Sequence, residues 1–515
     1  MKKIHLLSIT LFFAIHINAQ STAYLKIANT GSIEKIEHVS TGGYITIGAD
    51  SVYKSQVIRW DANFNPMWKC KFTDANIAGS PQRIVEANDG NFYYMNTSNE
   101  HSGCAFIAKL SSTGSIIWQK NYYETAGSLY SYALSKAAGT DNGFLFGGGQ
   151  CSLSNYVIKC DANGNIIWQN QYLYPLSTGV ITCWSIIPEA NGYVVSAGYN
   201  INSLLTFKLD VNGGVTAQTA YTYSSKQILP LRMVKLNTTG GYAIVGNYNN
   251  SNDNKTEFVA FYNSALSLLS FNELTVTYTQ FTLNDITAIN NGKNVVVNGS
   301  VYDGSAFTTA LINLSNSGNV EWKKRSQGAT SMSNKNVEFR GITTNGNYTV
   351  SGGAGYYEGC VMAIVDTSGN GLCNNTQFDM QNIHPALALQ SSVITVAAAN
   401  ALAVAVSYTN TPVSATTKYL YCGSLSIGDD GHTQAENEIQ LFPNPAVNEL
   451  AIKGIEKWPA IVTIYSLTGQ QLSKITLDGP ESKVPVEFLH TGYYLLNISS
   501  GDDNVNNTLL PFIKE

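Results

Sequence analysis

Apolar residues along this chain fall in short runs that alternate with polar residues or are rich in β-branched ones, and each run stops at a Gly- or Asn-containing turn. Tyr193-Val194-Val195-Ser196-Ala197-Gly198 is representative. Runs of this length and period read as β-strands rather than helices. In residues 129–173 they predict strands at Tyr132–Ala137, Phe144–Gly148, Tyr156–Lys159 and Ile166–Tyr172.

The runs recur as a repeat. A polar residue, a Gly three positions on and an aromatic seven positions on follow a strand, most cleanly in Asp161-Ala162-Asn163-Gly164-Asn165-Ile166-Ile167-Trp168. Copies begin at Asp61, Ser111, Asp161, Asp210, Asn263, Ser315 and Asp366, spaced 49 to 53 residues apart. The last column reads Trp68, Trp118, Trp168, Ala217, Ser270, Trp322 and Cys373, so it holds four of the chain's seven Trp. A second column places an aromatic after a turn at Tyr44, Phe92, Phe144, Tyr193, Tyr242 and Tyr348, with the sixth copy degenerate at Gly292-Lys293-Asn294. The polar-x-x-Gly segments suit hairpin turns, because Gly accepts φ > 0 without steric cost; Phe64 and Leu266 depart from the rule.

Four strands in each of seven repeats predict an all-β fold, a seven-bladed β-propeller over residues 20–380. An array of sandwiches would need about 100 residues per unit. The Trp column is expected to dock between neighbouring blades. Tyr24–Ala28 matches a fourth strand and is expected to close the ring on blade seven, whose own outer strand, Leu372–Phe378, is weak.

The two ends carry addresses. Lys2 and Lys3, an apolar stretch from Leu6 to Ile17, and Ala19 before Gln20 are expected to form a Sec signal peptide over residues 1–19. That stretch is too short to span about 30 Å of hydrocarbon, so no transmembrane segment is expected. Residues 381–436 are rich in Ser, Thr, Ala and Val and read as an extension and linker. Residues 437–515 read as a small Ig-like β-sandwich with Pro and Gly at its turns. Its Phe442-Pro443-Asn444-Pro445 opening, the Leu467-Thr468-Gly469 turn, the Gly492-Tyr493-Tyr494 strand and the Phe512-Ile513-Lys514 ending resemble the type A C-terminal sorting domain of the type IX (Por) secretion system. The resemblance implies passage through the Sec translocon and then the type IX machinery. The destination it implies is secretion or attachment to the cell surface, via the periplasm. Phe442, Pro443, Asn444, Pro445, Gly469, Gly492 and Tyr493 are the sorting-signal residues it suggests.

Composition narrows the chemistry. The chain has 515 residues, a net charge of −5 and only 13% charged residues, against about 25% in an average protein. No segment is more basic than Lys323-Lys324-Arg325, which argues against nucleic acid, whose binding needs many phosphate contacts. Histidines do not cluster, and no nucleophile elbow, phosphate loop or dinucleotide fingerprint occurs. No metal, cofactor or catalytic residue is therefore expected, and the Asp161 loop reads as a turn rather than a calcium site. Lys35, Arg83, Arg232, Asp285 and Arg340 fall near the first strands and are candidates to line the central channel, but their register shifts between repeats, so they read as ordinary solvated residues. Eight cysteines in an exported chain suggest disulfides; Cys373 and Cys422, which bracket the extension, are the candidate pair, while Cys104 and Cys360 read as small apolar packing groups. The repeat resembles Trp-docked propellers of secreted bacterial surface proteins. The expected function is a binding or adhesion module for an extracellular glycan or protein. The alternative is a secreted glycan lyase or hydrolase with its site on one propeller face.

Overall fold

A computed structural model describes residues 23–420 and 440–514 apart from short intervals, the longest being 327–336 and 407–417. Residues 22–426 form one compact unit, and the C-terminal residues from 427 belong to a second.

Among the described residues, the larger unit holds seven antiparallel sheets. Blade three runs Leu129–Lys136, Phe144–Gln150, Asn155–Cys160 and Ile166–Leu173, close to the strands expected from the alternation. Each first strand packs against the first strand of the next blade, and Lys35–His38 of blade one meets Val337–Thr344 of blade seven, so the ring is closed. The architecture is a β-propeller. Side chains of the middle strands are buried between adjacent blades, as with Leu145, Val157, Val195 and Phe207 between blades three and four.

The ring closes as the sequence suggested. Ala23–Ile27 pairs antiparallel with Gly359–Asp366, from Ala23 opposite Ile364 to Ile27 opposite Cys360, and so supplies the outer strand of blade seven.

The extension departs from expectation. Of Leu372–Phe378, expected on blade seven, the described segment Asn375–Thr376 pairs instead with the outer strand of blade six. The chain then retraces the ring, adding a fifth strand to one blade after another. Met380–Ile383 joins blade five, Ala388–Gln390 blade four, Thr395–Ala398 blade three and Leu402–Ala405 blade two. Lys418–Leu420 reaches blade seven, against Leu25–Ile27. The described strands of the segment expected as an extension and linker thus form a belt, and the ring-bound chain continues past residue 380. The physical reason is the edge. With blade seven closed by the N-terminal strand, every outer strand still presents unpaired N–H and C=O groups, and an extended chain passing over them satisfies both.

The C-terminal unit is a two-sheet β-sandwich. Gln440–Phe442, Glu449–Lys453 and Lys483–Pro485 form one sheet; Ala460–Ser466, Gln471–Leu477, Gly492–Ser500 and Asn507–Lys514 form the other. Leu450, Val462, Ile464, Val484, Leu496 and Phe512 are buried in its core.

Candidate functional site

The charged residues near the first strands belong to one layer of the ring. Counted from the pairing with the second strand, Lys35 opposite Ile47, Arg83 opposite Met95, Arg232 opposite Val245 and Asp285 opposite Asn298 occupy equivalent positions. Ala133, Ser185 and Gly341 fill that position in blades three, four and seven. Their differing distance from the aromatic column comes from turns of unequal length, which disguised the alignment in the sequence. The reading of these residues as solvated is therefore corrected: Arg83 is 8% and Asp285 2% exposed.

They close the waist of the channel with ion pairs that cross it. Lys35 Nζ lies 3.2 Å from Asp285 Oδ2 and donates to the Arg340 carbonyl at 3.0 Å. Arg232 reaches Glu37 Oε1 at 2.6 Å and Asp285 Oδ1 at 3.6 Å. Arg83 donates to the carbonyls of Gln82 and Leu231, at 3.0 and 3.3 Å. Arg340 itself pairs with Glu34 at 2.8 Å.

Burial sets the electrostatics. It pulls the Lys35 ammonium down to about 8 against the opposing pull of Asp285, and the Arg83 guanidinium down to about 10. Glu37 is pushed up by burial although Arg232 opposes the shift. Burial also works against ionised Asp285, but Lys35, Arg232 and Arg83 together outweigh it and hold its carboxyl below the usual range.

Next to this network lies a cavity of about 220 Å³. Arg83, Arg232 and Glu37 form its floor, and Glu86, Lys136 and Pro188, at or near the ends of first strands, lie toward the turns joining first to second strands. One wall is Trp184. In blades three to seven the first strand bulges immediately before the charged layer, at Tyr132, Trp184, Leu231, Asn284 and Arg340. A bulge re-aims its side chain, and Trp184 stacks on Tyr132 with centroids 4.5 Å apart and planes 26° apart. No motif marked these residues in the sequence; only the register of the first strands could have.

The Asp161 turn behaves as read. Asp161 Oδ1 accepts the amides of Asn163 and Asn165, each at 2.8 Å, and Oδ2 accepts Asn165 Nδ2 at 3.0 Å. Its oxygens cap the hairpin. Cys373 and Cys422 lie outside the described residues. Cys70, Cys104, Cys160 and Cys183 are buried free thiols, with Cys70 and Cys160 pushed up to about 12 and Cys104 to about 11 by burial.

In the C-terminal unit Asn444, Gly492 and Tyr493 of the expected sorting residues lie by the end of the last strand. Asn444 Oδ1 accepts the Ile513 amide at 2.9 Å, and the Ala446 amide donates to the Ile513 carbonyl at 2.7 Å. Tyr493 stands opposite Ile513 in the sheet, half-exposed, while Tyr494 stacks on Phe512 at 5.6 Å. Phe442 is exposed beneath the Lys453 ammonium, 5.0 Å from its ring centroid. The Phe-Pro-Asn-Pro opening is thereby tied to the last strand. Gly469 lies outside the described residues.

Residues 440–510 match the family described as the secretion system C-terminal sorting domain. The chain carries the sorting domain of type IX cargo, which marks it as secreted or attached to the cell surface. No curated protein matches it. Among solved structures, Raptor of Chaetomium thermophilum is similar at 9% identity and a TM-score of 0.46, over 67% of this chain and 30% of that one. The extracellular domain of the one-component system BT4673 of B. thetaiotaomicron is similar at 10% identity and a TM-score of 0.39, over 96% of this chain and 59% of that one. A protein of unknown function from Bacteroides caccae is similar at 9% identity and a TM-score of 0.33, over 59% of this chain and 93% of that one. The chain thus spans less than two thirds of the first two.

Proposed function

We propose that this exported chain is a binding protein whose propeller takes a glycan in the cavity beside the channel waist, with the sorting domain serving only delivery. The observation that carries the reading is the pairing of a stacked aromatic wall, Trp184 on Tyr132, with charged groups held rigid by cross-channel ion pairs. Aromatic faces suit the apolar face of a sugar ring, and fixed polar groups orient its hydroxyls. Glycan hydrolysis is less well supported. It needs two carboxyl groups free to exchange protons or attack, whereas Glu37 is clamped by Arg232 and Asp285 by Lys35. Calorimetric titration of the exported chain with host and bacterial surface oligosaccharides tests the proposal. Trp184→Ala is expected to weaken binding about tenfold, as lost stacking does. Unchanged affinity in this variant, or turnover of the bound glycan, would overturn it.

A further inference from the structure

The cavity contains one cation more than its carboxylates can neutralise. Among the side chains that line it or form its floor, Glu37 is taken by Arg232 at 2.6 Å, and Glu86 is held by the amide and hydroxyl of Ser40 at 2.7 and 2.6 Å. Asp285 behind them is in ion-pair contact with Lys35 and Arg232, and its charge reaches Arg83 without a contact. Lys136 is exposed and solvated. Arg83 is different. It is buried, it lines the cavity, and its hydrogen bonds are to the carbonyls of Gln82 and Leu231 rather than to a carboxylate.

Carbonyl dipoles only partly replace the water a buried guanidinium has lost, and the deficit is made up by an anion of matching geometry. A guanidinium presents a planar fork of donors that fits a carboxylate in two parallel hydrogen bonds. The same cavity offers the Trp184 wall a short way off, which suits a flat, partly apolar ring. Its volume of about 220 Å³ is below the range usual for drug-sized ligands, so it admits a single residue rather than a run of chain.

We infer that the propeller recognises an acidic sugar residue at a glycan end, with the sugar's carboxylate on Arg83 and its ring against Trp184. The inference rests on the reading of this cavity as the ligand site and adds the charge of the ligand. His38, Glu37, Glu86 and Lys136 face the same space, and the two acids reject a second anionic group, so one carboxylate per bound residue is expected.

The test is calorimetric titration of the full exported chain with methyl glucuronide, N-acetylneuraminic acid and neutral methyl glucoside. The acidic sugars should bind at least about tenfold more tightly than the neutral one, the increment of a charge-assisted bidentate contact. Their affinity should fall as salt rises from about 50 to about 500 mM, although burial limits the effect. Arg83→Gln should abolish the preference, so that within this variant the acidic sugars bind no more tightly than the neutral one. Arg83→Lys, which keeps the charge and loses the fork, should retain part of it. Should Arg83→Gln fail to fold, the Arg83→Lys result and the salt dependence of the unaltered chain decide. If acidic and neutral sugars bind equally, and both are lost in Trp184→Ala, the cavity is a glycan site and the inference about charge is wrong. If no sugar binds the unaltered chain, or if sugars bind and Trp184→Ala leaves their affinity unchanged, the site reading and the inference fail together.

Discussion

Trp68 and Gly114 show how two columns of the repeat depend on each other. Trp68 donates from Nε1 to the Ser112 carbonyl of the next blade at 2.8 Å, and its ring covers Gly114, where a Cβ would come within 2.6 Å of it. Trp118 bonds Ala162 over Gly164, Trp168 bonds Val211 over Gly213, and Trp322 bonds Thr367 over Gly369 in the same way. The Gly therefore serves twice, for its positive φ and for the space it leaves. After Ala217 and after the closing strand the turn residue is larger, whereas after Ser270 it remains Gly318, against the side chains of Ser270 and Asn272. Leu266 follows Ala217 and is fully buried, and Phe64 follows the closing strand and stacks on Tyr44 at 4.8 Å. Both keep positive φ, at 66° and 60°. The sequence displayed both columns, and Phe64 and Leu266 looked like departures only because compensation between residues of adjacent blades is invisible along the chain. The tryptophans are half-buried at the rim. Trp68→Ala should thus cost about 2 kcal/mol rather than the 3–5 of a full core truncation, and Gly114→Leu about 1–3 kcal/mol from overpacking. The double variant should cost at least about 1 kcal/mol less than the sum of the two, by urea denaturation. Simple additivity would refute the complementarity.

At the level of elements, the belt is the feature that pattern reading missed. Its strands are two to four residues long, so they carry too little alternation to be read, and whether such a segment is a strand depends on whether an edge is waiting for it. The blades were legible because their strands are longer and their faces differ. The belt also grips the closing strand from its free side, since Ala23–Ile27 pairs with blade seven and with Lys418–Leu420. Val396 stands opposite Tyr172 on blade three. Val396→Pro puts a residue without an amide and with a fixed φ into that short strand, and the Ile166–Leu173 strand should then exchange its amide hydrogens faster while the inner strand Leu129–Lys136 keeps its protection. Hydrogen exchange read by mass spectrometry checks this. Equal protection along Ile166–Leu173 in both proteins would mean that the belt lies on the blade without stabilising it.

At the level of the whole molecule, the propeller and the sorting domain build separate cores. The ring's cores lie between blades, and the sandwich has its own. Removal of residues 427–515 should therefore leave the propeller folded, with unchanged near-ultraviolet circular dichroism, but retained in the periplasm. Fusion of those residues to an inert exported reporter, in a host with type IX secretion, should carry the reporter out. A fused reporter that stays in the periplasm would contradict the assignment of the address to this unit.

The amino-acid sequence by itself determined the strands, the seven-fold repeat, the capped turns, the closing strand and the sorting domain. These depend on period-two patterning, on Gly at turns and on side chains within a few residues of each other, so they are written locally. Only the tertiary structure decided the belt, the charge network and the cavity. Lys35 finds Asp285 across 250 residues and Arg232 finds Glu37 across 195, and turns of unequal length hide the fact that the four charged members of the layer share one level. Closing the ring brings those first strands together and excludes water from between them. That desolvation turns residues which read as solvated into a network of buried ion pairs, beside which Arg83 hydrogen-bonds to carbonyls.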